Sequence, residues 1–205
     1  ASVNSQREIC KPPLATLAGF LFCRCSRRRE SALTWRSLDG ADSRPLLQKF
    51  IMNPEWKKDN LIITTDPARQ DVKAVHAFLS RSYWARQIPE EVVARSLQNS
   101  LCFGLFDGDA QIGLARVVTD YATFGYLCDV YVLETYRGRG LGKWLIECVM
   151  AHPQLQGLRR MNLVTNDAHG LYAPYGFRPV AKPENHMERH RPDIYRELAT
   201  GAKSA

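Results

Sequence analysis

From residue 61 onward the chain changes between two hydrophobic periods. Leu61–Thr65 (LIITT) is a β-rich run closed by Asp66-Pro67, the punctuation of a strand that ends before a helix. From Ala68 to Arg86 the apolar positions Val72, Val75, Leu79 and Tyr83 recur every three or four residues, which predicts one amphipathic helix. Pro89 with Glu90 and Glu91 then opens a second helical pattern, Val92, Val93 and Leu97, with proline and acids where a first turn favours them. Strands are expected over 101–106, 110–119 and 123–133. Asp107-Gly108 between the first two is a strong hairpin signal, so the three form an antiparallel meander.

The stretch Val130–Met150, VYVLETYRGRGLGKWLIECVM, joins a β-branched strand end to a glycine-rich turn and then to Leu141, Trp144, Leu145 and Val149 at helical spacing. Glycines let the backbone turn and lie close to a ligand, and the free N–H groups of the helix start point at whatever binds there. Such a junction suits a pyrophosphate. It is not the dinucleotide fingerprint, which follows the first strand of a parallel unit and carries an acid about 20 residues on. Nor is it a P-loop, because Gly142-Lys143 is followed by Trp144 rather than Ser or Thr. Beyond it, Arg160–Thr165 reads as a strand, Asn166–Phe177 as a short helix broken by Pro174 and closed at Gly176, and 177–180 and 187–190 as further short strands.

With that order of elements, Arg137-x-x-Gly140-x-Gly142 resembles the acetyl-CoA signature of the GNAT superfamily of N-acetyltransferases. Asn166 with Leu171-Tyr172-x-x-Tyr175-Gly176-Phe177 resembles its second cofactor segment. The resemblance covers about residues 61–195 and leaves the first 60 unmatched. It implies an α/β (α+β) fold: a mostly antiparallel mixed sheet of six to seven strands, flanked by about four helices and splayed at the cofactor site. It also implies acetyl-CoA as cosubstrate, no metal, and direct transfer of an acetyl group to a primary amine in a ternary complex. The amides of Arg137, Gly138, Arg139, Gly140, Leu141, Gly142 and Lys143 would hold the pyrophosphate. Val130, Val132 and Leu133 would meet the pantetheine where their strand leaves its neighbour, with Asn166 and Tyr172 completing the cofactor site. Tyr172 falls where family members place the tyrosine that protonates the departing thiolate, a task for which position matters more than a shift from its usual pKa near 10.

The proton acceptor is read from the residues. Asp129 is an acid in an otherwise apolar strand beside the turn, and alternation puts it with Tyr131 on the face opposite Val130 and Val132. Such an acid serves either as a base acting through water or as a structural hydrogen-bond acceptor. The resemblance also implies Tyr83 and Trp84, with Tyr131, as lining of the acceptor pocket. Core packing is an equal reading for Tyr83 and Trp84, a packing aromatic the alternative for Tyr172, and His169 is read as a surface or capping residue.

Composition adjusts this picture at the front of the chain. The 205 residues, 45% apolar with a net charge of +7, suit one sizeable core plus a tail. Residues 1–60 hold 11 Lys or Arg against 6 Asp or Glu, while 61–205 hold 17 against 15. The acetyltransferase-like domain at 61–205 is thus nearly neutral behind a basic, partly irregular extension at 1–60, and nucleic acid is not the expected partner. The apolar run Leu14–Phe22 is too short to span a bilayer. Cys10, Cys23, Cys25, Cys102, Cys128 and Cys148 form no metal-ligand module, and a reducing, cytoplasmic setting is expected, with organellar targeting by the front segment left open. The expected acceptor is a small-molecule or peptide amine, and homodimerisation is open. The alternative from another class is a catalytically silent CoA-binding or structural module in a larger assembly.

Overall fold

The structure, a computed structural model, describes residues 53–200. The apolar run and arginines of the front segment, and a short helix expected over 45–52, lie outside them. Six strands form one sheet in chain order: β1 (Glu55–Lys58), β2 (Leu61–Thr64), β3 (Leu101–Asp107), β4 (Ala110–Thr119), β5 (Phe124–Val132) and β6 (Arg160–Asn162). All neighbours are antiparallel except β5 and β6. The α-helices are α1 (Val72–Leu79), α2 (Glu90–Gln98), α3 (Leu141–Ala151), the single turn α4 (His169–Tyr172) and α5 (Ile194–Thr200).

The period-2 pattern of the meander sorts its side chains to two cores. Leu101, Phe103 and Leu105 of β3, with Ala115, Val117, Leu127 and Val132, meet Leu141, Leu145, Ile146 and Val149 of α3. Cys102, Leu114 and Tyr131 meet Val75, Phe78 and Leu79 of α1 and Val93 and Leu97 of α2 on the other face. Phe103 and Leu145 are wholly buried, and each such side chain contributes roughly 1.5–3 kcal/mol. Asp71 starts α1 by accepting from the amides of Lys73 and Ala74 at 2.9 and 3.0 Å. Gly108, at φ 59°, turns the β3–β4 hairpin.

Several elements differ from the pattern-based expectation. Composition predicts an irregular stretch before residue 61, yet β1 lies there: Trp56 packs on Phe103 at 5.9 Å between ring centroids, and the sheet begins at Glu55. The long helix expected over Ala68–Arg86 is a 3-10 turn at Pro67–Arg69 followed by α1, which stops at Leu79. Its last apolar residue, Tyr83, sits instead in an irregular turn closed by Gln87 at φ 63°. The strand expected over 160–165 keeps only its first three residues. No strand forms over 177–180 or 187–190, where the residues are mostly exposed and have no ladder partner among the described residues.

Candidate active site

The glycine turn hangs between two fixed ends. On the strand side, Glu134–Tyr136 is a single 3-10 turn whose Tyr136 hydroxyl donates to Asp107 Oδ2 at 3.1 Å, tying the turn to the β3–β4 hairpin. Asp107 Oδ1 is held in turn by the Asn60 amide. Arg137 Nε donates to the Val132 carbonyl at 3.1 Å, and Arg137 Nη2 meets Glu134 Oε1 at 3.1 Å. On the helix side, the Tyr175 hydroxyl donates to the Lys143 carbonyl at 3.2 Å.

Between these ends Gly138 and Gly140 lie at φ 78° and 76°, in the left-handed region where a side chain is strained. A Cβ at either would meet nothing within 4 Å, so the turn opens onto free space. Gly140 caps α3 with no side-chain hydrogen bond, and the first amide of the helix that finds a backbone acceptor is that of Trp144, on the Gly140 carbonyl at 3.1 Å. The amides from Gly138 to Lys143 thus have no acceptor among the described residues. A file of unspent N–H groups at a helix start, beside Arg139 and Lys143, is complementary to a pyrophosphate.

The outer edge of β5 is open in the same place. β6 pairs with β5 only from Phe124 to Tyr126, whereas β5 continues to Val132. Leu133 donates its amide to the Ile112 carbonyl at 2.8 Å. By antiparallel alternation the peptide groups of Val130 and Val132 then face away from β4, toward the gap. Of the three residues expected to pair with pantetheine, Leu133 has therefore already used its amide within the sheet.

Asp129 sits in a β-bulge. Arg116 pairs with Cys128 and Leu114 with Tyr131, so Asp129 and Val130 together oppose Ala115, and Asp129 takes φ 51°. Its carboxylate is nearly buried and both oxygens have donors: Arg116 Nε reaches Oδ2 at 2.7 Å, and Trp84 Nε1 reaches Oδ1 at 3.1 Å. Arg116 Nη1 also bonds Ser100 Oγ at 2.9 Å. The structure thus gives Asp129 the setting of an ion-paired hydrogen-bond acceptor, the second of the two roles expected of it. Arg116 is absent from the residues that the sequence singles out. The signal was present: an acid and a base in otherwise apolar strands of one meander can be buried only as a pair.

The candidate lining residues do gather. Tyr131 stacks on Phe78 at 3.8 Å, Trp84 lies 6.3 Å from Phe78, and Tyr83 meets Trp84 edge-on at 4.9 Å. Tyr83 and Trp84 remain 61% and 42% exposed, an aromatic surface that packing alone would have covered. The Tyr131 hydroxyl is buried with no hydrogen-bond partner among the described residues, and burial pushes its pKa up. Tyr172 is buried against Phe177, ring centroids 5.9 Å apart. Burial, followed by the Tyr83 and Asp167 charges, pushes its phenol up to about 12, so it holds its proton at neutral pH. Asn166 and His169 are exposed, and neither side chain makes a hydrogen bond to another described residue. The Cys128 thiol, pushed up to about 12 chiefly by burial, stays protonated and is no nucleophile.

This fold and this cradle place the chain in a known class: it belongs to the GNAT family of acetyltransferases, whose family model matches residues 69–177. The chain is similar to a Xanthomonas campestris pv. campestris protein described as a "putative acetyltransferase" of that family, at 49% identity and a TM-score of 0.65, over 68% of this chain and 99% of the other. It is also similar to a Gibberella zeae protein named "Putative acetyltransferase", 35% identical over 57% of this chain and 78% of the relative. A Staphylococcus aureus protein of unknown function shares the fold at 24% identity and a TM-score of 0.54, over 64% of this chain and 98% of the other.

Proposed function

We propose that the protein transfers the acetyl group of acetyl-CoA to a primary amine by direct attack in a ternary complex. The observation that carries this reading is the run of acceptor-free amides from Gly138 to Lys143, opening beside the unpaired outer edge of β5. Those amides, with Arg139 and Lys143, would bind the pyrophosphate, and the Val130 peptide group and the Val132 amide the pantetheine, the Val132 carbonyl being held by Arg137. The amine nitrogen attacks the thioester carbonyl, the C–S bond breaks, and the thiolate takes the proton that Tyr172 holds. The attacking nitrogen gives its own proton to water at the open mouth beside Tyr83 and Trp84, and Tyr172 regains a proton from solvent before the next turnover. Acceptors enter over that aromatic surface, with the unspent Tyr131 hydroxyl beneath it.

Calorimetric titration with acetyl-CoA tests the site, alongside a Gly140→Asp/Gly142→Asp variant whose carboxylates would repel the pyrophosphate. Binding by the wild type that the variant loses, together with CoA release that rises on adding a primary amine, supports the reading. One observation favours a silent CoA-binding module instead, namely that no free carboxylate stands on β5. Tight binding without amine-dependent CoA release would decide for that alternative.

A further inference from the structure

Asp129 occupies the place of a base without the freedom of one. Building a left-handed residue into a strand costs free energy, and burying a carboxylate costs more, so the bulge persists because its surroundings hold it. The carboxylate in turn holds two neighbours. Oδ2 is committed to Arg116 at 2.7 Å, and Arg116 is anchored again by Ser100 at 2.9 Å. Oδ1 faces the α1–α2 turn and takes the indole N–H of Trp84 at 3.1 Å. That turn has no regular structure, and Tyr83 and Trp84 are its exposed aromatic face. Through Asp129 it is fastened to the centre of the sheet.

We infer that Asp129 is a positioning residue: pinned by Arg116, it fixes the Trp84 indole, and with it Tyr83, as the wall against which the acceptor amine is held. The inference rests on the acetyl-transfer reading and assigns this carboxylate a part in acceptor binding rather than proton transfer. The bulge has a purpose in this light. It turns Cys128 and Asp129 both toward the α1–α2 face, where regular alternation would have brought only one of them. Tyr131 and Tyr195 lie within electrostatic reach of the same carboxylate.

Asp129→Asn separates the two roles. The amide must turn its one oxygen to the Arg116 guanidinium, which leaves its NH2 facing the indole N–H, and Trp84 is released. The test compares wild type, Asp129→Asn, Trp84→Phe and the double variant, using acetyl-CoA and the best acceptor among ethanolamine, tyramine, spermidine and a lysine-containing peptide. For positioning, each single variant raises the acceptor KM about tenfold, the size of one hydrogen bond to a charged group, and the double variant no further. kcat stays within about threefold. A fall in kcat of about 100-fold or more at unchanged KM in Asp129→Asn, with Trp84→Phe silent, would overturn the inference and restore Asp129 as base.

The 1H–15N spectrum supplies a readout independent of turnover. The Trp84 indole resonance, identified by its loss in Trp84→Phe, should move on Asp129→Asn, and an unmoved resonance would overturn the inference. Should Asp129→Asn fail to fold, Trp84→Phe still decides, because an unchanged acceptor KM there contradicts an indole wall. If the wild type turns over no amine of the panel, it is the acetyl-transfer reading that fails, and the indole resonance still shows whether Asp129 holds Trp84.

Discussion

Two alanine substitutions, two residues apart, should have opposite effects. Gly140 sits at φ 76° as the cap of α3, and an added Cβ there meets no atom within 4 Å. The cost of Gly140→Ala is therefore conformational alone, about 1–2 kcal/mol for an L-residue in the left-handed region. For a domain of this size that lowers Tm by about 2–8 °C. Gly142 lies inside the first turn of α3 with helical backbone, and its Cβ would only touch Leu171 Cδ2 at 4.0 Å. Removing the entropy cost of a helical glycine is worth about 0.5–1 kcal/mol, so Gly142→Ala should raise Tm by about 1–4 °C. Ligand binding should diverge as well. If the turn relaxes in the Gly140→Ala variant, one amide–phosphate bond is lost, which weakens acetyl-CoA by about 10- to 150-fold, whereas Gly142→Ala leaves the amides in place. Differential scanning fluorimetry and calorimetric titration of both variants suffice. A Gly140→Ala protein with wild-type Tm and affinity, or a Gly142→Ala protein that loses both, would refute the reasoning.

Tyr172→Phe should lower kcat by about 100-fold or more while leaving acetyl-CoA affinity unchanged, measured by steady-state kinetics and calorimetry. Because its phenol is pushed up to about 12, wild-type kcat should show no alkaline fall from this group below about pH 10. His152 is buried between Trp56 and Phe103, its Nδ1 accepting from the Gln154 amide at 3.3 Å, and burial lowers its pKa. A folded-state value below the unfolded one leaves full stability above about pH 6.5 and loses it as pH falls below that value. Thermal scans at about pH 7.5 and 5.5, on either side of it, should show this drop, and His152→Asn, which does not titrate, should flatten it. Gly104→Ala would place a Cβ 2.6 Å from Phe106 Cε2 and 2.8 Å from Gln70 Oε1, so urea unfolding should show a loss of about 1–3 kcal/mol.

The parts of the chain whose local chemistry agrees with their tertiary setting were legible in the sequence. The Asp107-Gly108 hairpin, the glycine turn and the apolar stripe of α3 each carry their own instruction and yield the meander and its helix, whereas the mixed pairing and the open edge came with the family resemblance that the glycine turn carries. β1 was not legible, because only Trp56 of its four residues packs into the core and an edge strand of Glu and Lys has no period to read. The 3.6-residue pattern through Tyr83 misled for a related reason. Tyr83 is apolar in composition but faces solvent, and only the folded structure shows that α1 ends at Leu79. For Asp129 alternation found the correct side of the sheet and missed the bulge, which arises from pairing with β4 rather than from anything local. Without that pairing Arg116 and Trp84 could not be seen as its partners.

The sheet runs in chain order, yet its seams are not alike. β1–β2, β3–β4 and β4–β5 are closed by short turns, while β2–β3 requires the chain to pass through α1 and α2, and β5–β6 through the glycine turn and α3. Of these two crossings, β2–β3 pairs along the whole of β2, whereas β5–β6 pairs at three residues only. The seam with the shorter ladder is also the one that would receive the cosubstrate. A molecule lying along the outer edge of β5, with its phosphates on the start of α3, would bridge the two sides of that crossing, so binding would fasten the end of the sheet that its own ladder holds least.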